Sequence, residues 1–170
     1  RTGGARGFWW DELAALLLTG ERPSCTLPLA LDDGGPAAIT FSASAAATVH
    51  PLIAERLRLA APETRDRAID AMATALGRAL PEAQVARACT GEELRALAAV
   101  PGIRLGAHTV THSVMSRQSR EALDWEVRAS RQRILDLTGT APSAFAYPYG
   151  APRDISADVV DAVRAAGYSM

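Results

Sequence analysis

The sequence predicts an α/β fold joined to a largely helical segment. From residue 90 onward, the apolar patterns alternate in the order helix, strand, helix, strand, helix, which is typical of parallel α/β structure. Residues 1–85 instead show mostly helical periods and one short hairpin near 27–41. We therefore expect a helical cap or insertion over residues 1–85 and an α/β part over residues 86–170.

Composition excludes several classes of protein. The 170 residues carry a net charge of −1 and are 48% hydrophobic but only 5% aromatic, so the core must consist mainly of small and aliphatic side chains. All 18 basic residues are arginines, and they are dispersed among 19 acids, so we expect no nucleic-acid partner. No apolar stretch is long enough to span a membrane. The oligomeric state and the compartment, cytoplasm or cell envelope, stay open.

Helical spacing of apolar residues predicts three helices in the first part, over residues 9–18, 45–60 and 63–76. Gly20 and Pro23 end the first of these helices, because glycine favours helix ends and proline cannot continue a helix. Pro51 lies inside the second predicted helix and leaves open whether that helix begins only there.

Two apolar runs in the first part, 27–31 and 37–41, flank Asp32-Asp33-Gly34-Gly35. Aspartate and glycine tolerate the positive φ angles that tight turns require, so this pattern predicts a β-hairpin.

In the second part, capping signals predict where helices begin and end. Thr90 and Glu93 have the spacing of a capping box, Ser119 and Ser156 precede helical patterns, and Gly139 ends the longest one. The apolar side of that helix contains Leu123, Val127, Ile134 and Leu137, and we expect Trp125 to pack as well. Short strands are predicted over 103–107 and 144–147.

Two of the three histidines, His108 and His112, stand four residues apart at the end of a predicted strand. Parallel α/β folds place their sites at strand ends, and imidazole is a common ligand of divalent metals. Spacing alone leaves two interpretations open, a metal site or a pair of surface or capping histidines.

The motif around these histidines resembles that of a known family. Gly106-Ala107-His108-Thr109-Val110-Thr111-His112 is similar to the second motif, His-(Ser/Thr)-x-x-His, of the polysaccharide deacetylases, also called carbohydrate esterase family four. Phe145-Ala146-Tyr147-Pro148-Tyr149-Gly150 resembles the third motif at the expected distance, and residues 8–13 resemble a segment of one bacterial branch that precedes a helical insertion. The resemblance implies an incomplete, distorted (β/α) barrel with a helical insertion, and an internal fragment of such an enzyme.

The resemblance also implies roles for the histidine motif. His108 and His112 would bind a catalytic divalent metal, usually zinc, that polarises an acetyl carbonyl and lowers the pKa of a bound water. The Thr109 hydroxyl would help to hold the loop. The implied enzyme is a hydrolase that removes N- or O-acetyl groups from an acetylated glycan or amino sugar.

The third motif would complete the site. By resemblance, Tyr149 would offer its backbone amide to the oxyanion, and Pro148 would fix the loop. Tyr147 and Tyr149 would either flank a sugar or serve as packing aromatics, and both interpretations stay open.

Two departures from the family pattern affect the expected activity. Ala146 stands where the third motif has an arginine, and the Thr-Phe-Asp-Asp motif that supplies the general base and third metal ligand is not found. Asp32 and Asp33 imitate that motif, but their context favours a hairpin turn. We therefore expect this chain to be inactive alone.

Two non-enzymatic interpretations stay open beside the deacetylase interpretation. One is a carbohydrate-binding or protein-interaction module in which His108 and His112 bind no metal. The other is a helical regulatory domain centred on residues 45–85. Zinc binding distinguishes the first of these from the deacetylase interpretation.

Overall fold

The computed structural model describes residues 7–80 and 88–169, and the chain divides into two compact units, residues 1–88 and 89–170. The first unit contains Trp9–Leu18 (α1), Cys25–Pro28 (β1), Ala38–Phe41 (β2), Ala46–Leu59 (α2) and Pro62–Ala75 (α3). The second contains Gly91–Ala98 (α4), Arg120–Thr138 (α5) and Ala157–Ala165 (α6). This mixture of helices and a small sheet is compatible with the predicted α/β class, but it does not show a barrel.

In the first unit, α1 packs against α2 and α3, and α3 also packs against β1. The side chains between them are aliphatic apart from one phenylalanine and one methionine, and they are almost fully buried: Leu13, Leu16, Leu17, Leu27, Phe41, Ile53, Leu57, Ile69 and Met72. This core matches the composition, which offers few aromatic side chains.

The second helix begins at Ala46, so Pro51 is not its start. A short 3₁₀ turn over Ala43–Ala45 precedes it, and the Ser42 hydroxyl accepts a hydrogen bond from the Ala45 N–H at 3.3 Å. This cap starts the helix early enough that Pro51 falls in its interior, where it costs one backbone hydrogen bond.

β1 and β2 form an antiparallel pair in which Cys25 faces Phe41 and Pro28 faces Ala38. Between them, the Asp33 carboxylate receives two hydrogen bonds from the Arg56 guanidinium, at 2.6 and 2.7 Å, and one from the Gly35 N–H at 3.0 Å. Asp33 therefore joins the turn of the hairpin to α2.

The pH dependence of this ion pair is a first testable prediction. Hydrogen bonds from Arg56 lower the pKa of Asp33 from 3.8 to about 2. Because the pKa is lower in the folded chain, the stabilisation is complete above the unfolded value of 3.8 and is lost as the pH falls through about 2. Since the pair is partly exposed, we expect Asp33→Asn to lower the free energy of unfolding by at most about 1 kcal/mol at about pH 6.

Urea unfolding at about pH 6 and about pH 2 measures this effect. The difference between the wild-type chain and Asp33→Asn should be much smaller at the lower pH, and Asp32→Asn, at the neighbouring exposed residue, should have little effect. A difference of the same size at both pH values would refute the assignment to Asp33.

The capping signals of the second unit are confirmed. Thr90 and Glu93 form the reciprocal bonds of a capping box, and the side chains of Ser119 and Ser156 accept hydrogen bonds from the first turns of α5 and α6. Gly139 follows α5 with a φ of 75°, a left-handed conformation that glycine adopts without steric cost.

The strands predicted over 103–107 and 144–147 are not formed as strands. In their place, Ala107 and Phe145 form a single parallel bridge, with hydrogen bonds from Ala107 N–H to Ala144 O and from Ala146 N–H to Ala107 O. Further upstream, the Ile103 N–H is used within a turn, where it bonds to Val100 O. On the other segment, Pro148 has no N–H to donate.

Candidate functional site

The parallel bridge brings the two predicted motifs side by side. His108 directly follows Ala107, and its Nδ1 lies 2.8 Å from the carbonyl oxygen of Ala146. Because a carbonyl can only accept, Nδ1 carries the proton, which leaves Nε2 of the neutral ring as an acceptor. The contact uses the backbone of Ala146, so the absence of an arginine side chain there does not remove it.

The imidazole rings of His108 and His112 lie close together. Their centres are 4.8 Å apart and their planes are inclined by 74°. Two imidazoles that bind one zinc through nitrogens at about 2.0–2.1 Å have ring centres about 5 Å apart. The Thr109 hydroxyl accepts a hydrogen bond from the His112 N–H at 3.1 Å, across the turn between the histidines. The residues present therefore fit two positions of a divalent metal site.

Strained backbone is concentrated in these two motifs. Among residues 7–80 and 88–169, the non-glycine residues with positive φ are Thr109 at 64°, His112 at 55° and Tyr149 at 63°. This region is costly for any side chain and most costly for a β-branched one such as threonine. Such strain persists only where surrounding contacts hold the backbone, and it is common at functional sites.

The third motif forms a tight turn beside His112. The Gly150 N–H donates to Pro148 O at 2.7 Å, and with its positive φ Tyr149 occupies the centre of a γ-turn. The Tyr149 ring stands nearly perpendicular to that of His112, with centres 4.8 Å apart. Pro148 is buried. His108, His112 and the Tyr149 turn thus form one cluster.

Tyr147 is half-buried at the edge of this cluster. Its ring meets the edge of Phe145 at 5.4 Å between centres and packs against the hydrophobic core of the unit. This contact buries one part of the Tyr147 ring and leaves another part accessible.

Glu126 is part of the site, although the motifs did not point to it. It lies on α5, is only 3% exposed, and accepts hydrogen bonds from the N–H groups of Val110 and Thr111 at 2.6 and 3.1 Å. The Thr111 hydroxyl donates to its other oxygen. A charged residue within the apolar stripe of a helix is the sequence signal that could have identified it.

The expectation that Trp125 packs is wrong, because its side chain is 52% exposed. The buried face of α5 consists of Leu123, Glu126, Val127 and Ser130. Glu126 occupies the buried position because the loop offers it hydrogen-bond donors, which a buried carboxylate requires.

A third metal ligand is not found in the part of the chain that the structure describes, where no group of three or more His, Cys, Asp or Glu side chains could hold a metal. Asp33 is engaged with Arg56 in the hairpin turn. The site in these residues therefore consists of two histidines and the loops that hold them.

Comparison with known proteins agrees with the two motifs. The family model described as polysaccharide deacetylase matches residues 65–170, which is more than half of the chain. The chain therefore belongs to the polysaccharide deacetylase family, whose members are hydrolases acting on acetyl groups and are generally metal-dependent. Searches of curated proteins and of solved structures find no significant match.

The matched region begins within α3, upstream of the α/β part expected from the sequence. It includes both histidines and the whole of the third motif. Within the described residues, no helix is both long and apolar enough to cross a membrane.

Proposed function

We propose that this chain carries the two-histidine part of the metal site of a polysaccharide or amino-sugar deacetylase, which hydrolyses N- or O-acetyl groups on a glycan. The observation that carries the proposal is the 4.8 Å distance between the His108 and His112 ring centres, within a segment that matches the family. In this proposal, residues 86–170 contribute a partial barrel and residues 1–85 a helical cap or insertion.

His108 and His112 hold a divalent metal, with zinc as the expected ion. When bound, the metal supplies Lewis-acid chemistry to an acetyl carbonyl. The hydrogen bond to Ala146 O orients the His108 ring and fixes the tautomer of the neutral imidazole in which Nε2 is the ligating nitrogen. Thr109 fixes the backbone of His112 through its hydroxyl.

The Tyr149 turn has the role of the oxyanion loop. Its γ-turn, closed by the hydrogen bond from Gly150 to Pro148, sets the direction of the Tyr149 backbone amide. A preorganised amide of this kind stabilises the negative charge that develops on an acetyl oxygen. Pro148 restricts the loop, and Tyr147 lines the substrate side with the part of its ring that stays exposed.

The chain of 170 residues is proposed to lack hydrolytic activity on its own. A catalytic zinc is held by about three protein ligands, and among the described residues no third His, Cys, Asp or Glu completes a metal-binding group with the two histidines. We therefore expect this chain to bind the metal without catalysing hydrolysis.

Calorimetric titration with zinc, followed by an acetate-release assay on an N-acetylglucosamine oligomer, tests the proposal. We expect one zinc per chain and no acetate release. Failure to bind zinc would favour a non-catalytic interaction module, and acetate release by the chain would refute the proposed lack of activity.

A further inference from the structure

We propose that Glu126 is a positioning residue that holds the loop between His108 and His112 in the conformation that brings both imidazoles together. This inference rests on the proposed function, because the loop matters only if the histidines bind a metal. Glu126 receives three hydrogen bonds from this loop, two from backbone N–H groups and one from a hydroxyl.

The place of these bonds within the loop supports the proposal. The N–H groups of Val110 and Thr111 lie between Thr109 and His112, the two residues with positive φ in this loop. A loop with strained backbone at both ends relaxes unless other contacts determine its conformation. Hydrogen bonds to an ionised acceptor are about twice as strong as neutral ones, so one carboxylate can supply that constraint.

Glu126 is not the third metal ligand in this arrangement. Its Oε2 accepts from both backbone N–H groups, and its Oε1 accepts from the Thr111 hydroxyl, which also lies 2.6 Å from the Ser113 hydroxyl. Both oxygens are therefore directed at the loop, in agreement with the absence of a three-residue metal cluster among the described residues.

The helix that carries Glu126 is itself firmly held. Leu123 and Val127 on the same face are buried in the core of the unit, and Ser119 caps the first turn. The Tyr168 hydroxyl also donates to the Val127 carbonyl at 2.9 Å. Glu126 thus connects a rigid core helix to the loop that carries the histidines.

Zinc titration and amide hydrogen exchange of Glu126→Leu test the proposal in the full chain. Loss of a group that orients a metal ligand typically lowers metal affinity by about 10- to 100-fold, and we expect a loss of that size. The amides of Val110 and Thr111 should exchange at least about tenfold faster, since their acceptor is removed. Glu121→Leu, at an exposed glutamate of the same helix, should change neither quantity.

The proposal is overturned if folded Glu126→Leu binds zinc like the wild-type chain or keeps the two amides protected. If Glu126→Leu does not fold, the same two measurements are made on Glu126→Gln, because glutamine keeps the shape of the glutamate side chain and one acceptor oxygen. It should lose less than about tenfold in zinc affinity and show faster exchange of the two amides, whereas behaviour identical to Glu121→Gln would overturn the proposal.

The exchange measurement also separates the two proposals. Exchange of the Val110 and Thr111 amides is measured without zinc. It therefore reports on the hydrogen bonds between Glu126 and the loop whether or not the chain binds metal. A wild-type chain that fails to bind zinc would refute the proposed function.

Discussion

Replacing either His108 or His112 by alanine is expected to weaken zinc binding by at least about 100-fold, because loss of a ligand exceeds the 10- to 100-fold cost of losing a residue that only orients one. The two rings are 4.8 Å apart, and no third His, Cys, Asp or Glu completes a cluster with them among the described residues. Each histidine is therefore one of the two protein ligands that we propose.

Isothermal titration with zinc measures this loss, with circular dichroism as a check on folding. The matched control is His50→Ala, because His50 is the third histidine and lies within α2. That variant should keep the zinc affinity of the wild-type chain. Equally weak zinc binding by the wild-type chain and the His108→Ala, His112→Ala double variant would remove the support for a metal site.

Phe145→Ala is expected to lower the free energy of unfolding by about 3–5 kcal/mol, the usual cost of removing a buried aromatic ring. Phe145 is 8% exposed, and its ring contacts those of Tyr147 and Tyr168. It also pairs with Ala107 in the parallel bridge that aligns the two motifs. The substitution therefore leaves a cavity beneath the candidate site.

Urea unfolding measures this effect. Tyr147→Phe is the control, because it retains the ring that contacts Phe145 and should change the free energy of unfolding by less than about 0.5 kcal/mol. A loss below about 1 kcal/mol for Phe145→Ala would show that the core tolerates the cavity, and would contradict the packing described for this unit.

The helices could be predicted because their signals are local. Helical spacing of leucines indicates α1, and the side chains of Thr90, Ser119 and Ser156 bind backbone N–H groups within one turn of their own position. Such contacts depend on neighbours three or four residues away. Local spacing does not fix the start of α2, because Pro51 also favours a helix start; the Ser42 hydroxyl caps the turn that leads into the helix at Ala46.

The strands of the second unit could not be predicted with the same success. A strand requires a partner distant in sequence, and the pattern over 103–107 does not reveal that the Ile103 N–H bonds within a turn. The two segments form a single parallel bridge, between Ala107 and Phe145. The hydrophobic pattern indicated where the segments meet, but not how far the pairing extends.

In the candidate site, spacing singled out His108 and His112, and the structure places their rings close together. Glu126 was missed because two of its three hydrogen-bond partners are backbone N–H groups, which leave no mark on the sequence of the loop. The sequence favoured the adjacent Trp125 as the packed residue because it is large and apolar, but Trp125 is exposed and Glu126 is buried. A carboxylate in the apolar stripe of α5 was the available signal.

We propose that His108 and His112 share one metal ion. Anomalous diffraction from crystals grown with zinc tests it most directly. We expect a single strong peak within about 2.0–2.1 Å of a ring nitrogen of both histidines. A zinc peak bound elsewhere, or at only one of the two rings, would contradict it.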